Sequence, residues 1–211
     1  MARQQKRSSR PQNYIKALII VHGKSERSFV KHIQSNLHLN MKPHGKHKGK
    51  NSIQITSLMK EVLERYPFDT MNSFLKEYGE EVEHTGKGKN AQLIKFKLFI
   101  FLDTDDCSEE QKKAFKDKTM FRDHPLYDYI VPIYNDPKME KVMLKCGLMK
   151  TEIKDSQKGE WYEKVFPVNK DKSVEDTKED VETLNELFRK CNDTNMEEFI
   201  TYCLDNIRLI G

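Results

Sequence analysis

Phe96-Lys97-Leu98-Phe99-Ile100-Phe101-Leu102-Asp103-Thr104-Asp105-Asp106 is an apolar run that ends in three carboxylates. Leu98 to Leu102 are all apolar, with two aromatics and one β-branched residue, which suits a strand covered on both faces, as in a parallel α/β sheet. In such sheets ligands collect at the carboxyl ends of the strands. Asp103 and Asp105 lie two apart, so an extended chain points their side chains the same way, whereas a chain that turns after the strand does not. Two carboxylates held close repel and raise each other's pKa unless a cation or donors neutralise them. Mg²⁺ or Mn²⁺ fits, since these hard ions are commonly held by one or two carboxylates plus substrate phosphate. The competing reading is a strand running into an acidic turn that caps a helix from Ser108 to Lys118.

Upstream, Ala17-Leu18-Ile19-Ile20-Val21 is a second candidate for a central strand. His22-Gly23-Lys24-Ser25-Glu26 breaks it, and Phe29, Val30, Ile33 and Leu37 then follow helical spacing. Such a strand, turn and helix start presents backbone donors and a dipole that favour an anion. Asn40 to Asn51 reads as a mobile basic loop with no core residues, in which His44 and His47, lacking cysteine partners, suit phosphate contact better than metal ligation. The alternation of Ile53 and Ile55 predicts a short second strand over 52–56, followed by helices over 58–66 and from Met71 to about His84. The glycines of Thr85 to Asn90 lack the Gly-Lys-Ser/Thr ending of a P-loop. Tyr127 to Tyr134 predicts the next strand, with Pro132 placing it at an edge or late position. Asn135-Asp136-Pro137 opens a helix carrying Glu140 on its first turn. Helical patterns recur at 174–190 and 195–210. The order βα, β-helix-helix, βα, βα and helices predicts a parallel, doubly wound α/β sheet with right-handed crossovers and a C-terminal helical extension. The expected division is a basic flexible tail over 1–13, an α/β domain over 14–150 and an acidic helical extension over 151–211 packed on the core.

Charge is distributed unevenly along the 211 residues. The net charge is only +4, yet residues 1–50 hold 12 Lys and Arg against one acid, and residues 151–211 hold 9 against 15. A basic amino-terminal segment is the footprint of a polyanion binder, or else a solvated tail serving solubility. Cys107, Cys146, Cys191 and Cys203 show no CxxC spacing and read as reduced, mostly structural thiols of a cytoplasmic protein. No apolar run approaches the roughly 20 residues that cross a bilayer, so no membrane partner is expected.

Ile19-Ile20-Val21-His22-Gly23-Lys24-Ser25-Glu26 followed by Phe101-Leu102-Asp103-Thr104-Asp105-Asp106 resembles the TOPRIM domain of topoisomerases, primases and related nucleases. Lys24-Ser25-Glu26 after the glycine and Asn135 to Glu140 downstream are more similar to the small TOPRIM proteins of the RloB-like and OLD (overcoming lysogenization defect) groups. The resemblance covers roughly residues 15 to 150, and where the family has a glutamate directly before the turn glycine this chain has His22.

The resemblance implies a Mg²⁺- or Mn²⁺-dependent nuclease, acting on DNA or RNA in antiphage defence or nucleic-acid processing. Glu26, Asp103 and Asp105 would hold the metal, with Asp106 and Glu140 as further metal candidates. His22 could take a proton or ligate a softer ion. Lys24 is a phosphate-contact candidate or a solvated helix-end lysine, and Lys46, Lys48 and Lys50 would position the nucleic-acid backbone. Two other readings stay open: a non-catalytic TOPRIM binding or partner protein working with a separate ATPase, and a primase-like or ligase-like phosphoryl transfer.

Overall fold

A computed structural model describes residues 13–45, 52–154 and 157–207. Four strands, β1 (Ala17–Val21), β2 (Met41–His44), β5 (Lys97–Asp103) and β6 (Ile130–Asn135), form one parallel sheet in the order β2-β1-β5-β6. Two short strands, β3 (His84–Thr85) and β4 (Gln92–Leu93), make a separate antiparallel ribbon before β5. β1 and β5 are central and buried along nearly their whole length, which is why both read as continuous apolar runs.

Alternate residues feed two cores. Ala17, Ile19, Val21, Phe99 and Phe101 face one cluster, while Leu18, Ile20, Leu98, Ile100 and Leu102 face the other. The first cluster is closed by α1 (Lys24–Asn36), α5 (Met139–Lys145), α6 (Lys158–Val165), α7 (Val174–Arg189) and α8 (Met196–Asp205). The second is closed by α2 (Ile55–Leu58) with the π turn Met59–Leu63, by α3 (Met71–Tyr78) and by α4 (Glu109–Lys116). Helices thus cover both faces, and the chain is a doubly wound α/β protein.

The first crossover runs from β1 outward to β2, and the second jumps back over β1 to β5. The connections after β1 and β5 therefore leave in opposite directions, and the carboxyl ends of these strands form the switch point where ligands bind in open α/β sheets.

Several expectations are corrected. The second strand is Met41–His44, inside the stretch read as a loop without core residues; Met41 is buried there against β1. Lys42, Pro43 and His44 conceal it, because an edge strand needs neither two buried faces nor a full ladder of donors. Ile53 belongs to no strand, and Ile55 starts α2. The helix from Met71 stops at Tyr78, and residues 127–129 form a 3₁₀ turn before β6. Pro132 does lie on an edge strand.

Candidate functional site

Asp103 is the last residue of β5 and follows Phe99 and Phe101 onto the face covered by α1, α5 and α6. It pairs in register with Asn135, the last residue of β6, and the two side chains bond: Asn135 Nδ2 donates to Asp103 Oδ1 at 3.2 Å. The backbone N–H of Met139, at the start of α5, donates to the same oxygen at 3.1 Å. Asn135 is itself fully buried, its Oδ1 accepting from Thr194 Oγ1 at 3.2 Å.

Glu26 lies on the first turn of α1 and reaches back to accept from the Gly23 N–H at 2.9 Å, a capping interaction. Glu140 lies on the first turn of α5, where Oε1 accepts from the Tyr162 hydroxyl and pairs with Lys158, both at 3.2 Å. Glu26, Asp103 and Glu140 are only 2%, 7% and 9% exposed, an unusual degree of burial for carboxylates.

Burial, then the charge of Glu140, pushes the Glu26 carboxyl up to about 7, against the pull of its backbone bonds and Lys158. Burial followed by the charge of Glu26 raises Asp103 well above the usual carboxylate range, while His22 and Asn135 oppose the rise. The three acids come from the first turn of α1, the end of β5 and the first turn of α5, and act on one another. At neutral pH they hold fewer negative charges than carboxyl groups.

His22 borders this cluster. Its N–H continues the β1–β5 ladder to Phe101 O at 2.9 Å, and its Nδ1 lies 2.8 Å from Ile53 O. A carbonyl only accepts, so Nδ1 carries a hydrogen and the ring is held in place by that bond. Ile53, read from sequence as a strand residue, instead fixes this ring.

Past Asp103 the strand ends. Thr104 is buried, Asp105 is exposed in the turn, and Asp106 sits half-buried beyond it. The shared direction expected of Asp103 and Asp105 is lost, because the chain turns where the strand stops. Both carboxylate oxygens of Asp106 are nonetheless buried without a hydrogen-bond partner. Burial raises its pKa, with His22 opposing and Asp105 adding to the rise. By contrast, Asp136 is held below its usual range: burial works against ionisation but is outweighed by bonds from Lys116, Lys112 and Thr104.

The structure thus brings together Glu26, Asp103 and Glu140, with His22 acting on both Asp103 and Asp106. It leaves Asp105 outside, and Lys24 is exposed at the start of α1 beside the crevice. Lys46, Lys48 and Lys50 lie outside the described residues. Sequence reasoning did not single out Asn135, Lys158 or Tyr162. Asn135 left a signal, a polar residue ending an apolar strand; Tyr162 left none, sitting in an apolar cluster with Trp161, Val165 and Phe166.

Among the described residues, no group of three or more His, Cys, Asp or Glu is arranged to hold a metal ion. Mg²⁺ makes a smaller demand, taking one or two carboxylates and completing its shell with water and phosphate. The hard-oxygen donors, the raised pKa values of Glu26 and Asp103 and the unpartnered oxygens of Asp106 suit such a cation.

No helix among the described residues is long and apolar enough to cross a membrane. Neither a family model, nor a curated protein, nor a solved structure matches this chain.

Proposed function

We propose that this protein is a Mg²⁺- or Mn²⁺-dependent nuclease of TOPRIM type that hydrolyses phosphodiester bonds of DNA or RNA at the carboxyl ends of β1 and β5. The observation that carries this reading is the mutual burial of Glu26, Asp103 and Glu140 at the sheet's switch point, where their repulsion calls for a cation. Asp103 is the principal anchor, its carboxylate oriented by Asn135 and the Met139 N–H. Glu140 is oriented by Tyr162 and Lys158, and Glu26 stands ready to release its proton as a cation arrives. A bound divalent ion would supply an activated water and neutralise charge on the scissile phosphate. His22 Nε2 accepts a proton at the crevice edge, and the exposed Lys24 meets the phosphate backbone. Asp105 and Asp106, at the mouth of the turn, are the ligands for a second ion.

A second reading draws on α7, whose outer face exposes Glu175, Asp176, Glu179, Asp180, Glu182 and Glu186. This is a docking surface for a basic partner such as a separate ATPase, with the chain itself non-catalytic.

Plasmid DNA and RNA incubated with purified protein in Mg²⁺ and in Mn²⁺, beside Asp103→Asn, separate the two. The nuclease reading expects metal-dependent cleavage that falls at least about 100-fold in the variant. Nucleic-acid binding without cleavage by either protein would overturn it in favour of the partner reading.

A further inference from the structure

Tyr66 is one of two large apolar side chains exposed among the described residues, 54% open to solvent, and no part of the acidic site uses it. It stands at the mouth of a cavity of about 160 Å³ on the face of the sheet covered by α2 and α3. Ile53, Val62 and Phe68 are buried and form the back of that cavity, His44 is half-buried, and Glu61 and Arg65 are exposed at the rim. The His44 and Phe68 rings meet edge to face, with centroids 5.2 Å apart. The Tyr66 hydroxyl donates to Glu77 at 2.7 Å and Arg65 Nε donates to Lys60 O at 2.9 Å, so both rim side chains are held in place.

Backbone geometry joins this cavity to the acidic site. His44 ends β2 in register with Ile20, two residues before His22. Ile53, whose side chain lines the cavity, donates its N–H to His22 O at 3.0 Å and accepts from His22 Nδ1 at 2.8 Å. One residue therefore separates the cavity from the ring that acts on Asp103 and Asp106. β2 lies two strand spacings from β5, about 10 Å. A nucleotide and its neighbour cover that span from phosphate to base.

The lining favours a flat, uncharged ring. At about 30 Å³ per water, the cavity has room for roughly five waters or one ring system. Its apolar back rejects a phosphate, because a charge taken there loses its water without gaining a partner. Aromatic rings at the mouth suit stacking, and Arg65 and Glu61 offer a donor and an acceptor to the polar edge of a base. We propose that this cavity is a nucleobase pocket, taking one unpaired base of a strand whose phosphates cross the acidic site, with Tyr66 and His44 as stacking platforms. The assignment rests on the nuclease reading for that strand and deepens it, since a base paired and stacked in a duplex does not enter. The substrate is single-stranded nucleic acid, or a duplex end that has opened.

The test is equilibrium binding of the full chain to fluorescein-labelled dodecamers, in EDTA and in Ca²⁺, with each strand checked to be intact. The probes are oligodeoxyuridylate, oligouridylate, an abasic strand of equal phosphate count and a DNA duplex of the same length. Wild type should bind the better single strand at least about 5-fold tighter than the abasic strand or the duplex. Tyr66→Ala should lose that margin and bind the abasic strand as wild type does. Tyr66→Phe keeps the ring but not the bond to Glu77, and should bind like wild type. A Tyr66 effect on either single strand supports the pocket, and the tighter of the two names the sugar. Equal binding of base-bearing and abasic strands by wild type, a duplex bound as tightly as the single strands, an equal loss on every probe in Tyr66→Ala, or no binding at all would overturn it. Cleavage in Mg²⁺ with binding indifferent to Tyr66→Ala would remove the pocket and leave the nuclease reading. Tyr66-dependent binding without cleavage would remove the nuclease reading and leave the pocket.

Discussion

At the scale of single residues, Glu26 holds opposing demands. It caps α1 through the Gly23 N–H, which favours the charged form, yet it is buried beside Glu140 and Asp103, which favours the neutral one. Burial wins, and the folded pKa of about 7 exceeds the ordinary 4.5. A raised carboxyl pKa means that the native state holds its proton more tightly than the unfolded chain does. The resulting stability is fully present below 4.5 and is lost as pH rises through about 7. Integrated across that window the loss is about 3 kcal/mol. Glu26→Gln keeps an oxygen to accept from Gly23 but cannot ionise. Urea unfolding between pH 4.5 and 8 should therefore show a flatter profile for the variant and greater stability than wild type at pH 8. A wild-type profile that does not fall across this window would show that Glu26 is charged throughout.

The acidic end of an apolar strand pointed to Asp103 and a helix first turn placed Glu140 near the same edge, while Glu26 and His22 became candidates through the resemblance to TOPRIM proteins. Asp105 shared that signal but not the outcome. Period-2 reasoning requires the strand to continue, and β5 stops at Asp103. Nothing local could show that Tyr162 spends its hydroxyl on Glu140, since an aromatic among Trp161, Val165 and Phe166 reads as plain core.

At the scale of elements, Phe29 anchors α1 together with the equally buried Val30 and Ile33. Its ring meets Phe101 of β5, Phe166 after α6, Phe188 of α7 and Phe199 of α8, with centroids 5.4 to 6.2 Å apart. Edge-to-face pairs add to the burial of a side chain that is wholly inside. Phe29→Ala should cost about 3–5 kcal/mol, read as a lower denaturation midpoint with unchanged m value. A loss below about 1 kcal/mol would mean that α1 is secured by its polar contacts instead.

β1, β5 and α1 were legible in the sequence because each carries its own period and its own cap or turn. β2 was not: Met41–His44 becomes a strand only because β1 offers it an unpaired edge. α4 was legible at its start, where Ser108 and Gln111 form a reciprocal cap, but the helix ends at Lys116, two residues short of the expected Lys118.

At the scale of the whole molecule, the acidic C-terminal helices are part of the principal core. Tyr162, Phe166, Val181, Phe188, Phe199 and Ile200 pack in one cluster with Ile19, Phe99 and Phe101 of the sheet. The Tyr202 hydroxyl also donates to Lys16 O at 2.8 Å, fastening α8 beside the entry to β1. A chain ending at Lys150 would expose one whole face of the central strands. It should show no cooperative thermal transition and should bind a hydrophobic dye. Cooperative melting of that fragment would establish instead that residues 14–150 fold alone.

Strand order could not be read from the chain, but once the doubly wound α/β class was expected, the crevice location followed, because the switch point belongs to the class and not to any one residue. The sequence by itself determined the two central strands, the helices that alternate with them and the acids at their carboxyl ends, since these depend on periodicities of a few residues. Only the tertiary structure decided which acids meet, that β2 joins the sheet, and that α6 closes over Glu140. Those outcomes depend on contacts between segments up to 186 positions apart, as where the Tyr202 hydroxyl donates to Lys16 O, and on where the chain turns out of a strand. Local pattern constrains neither.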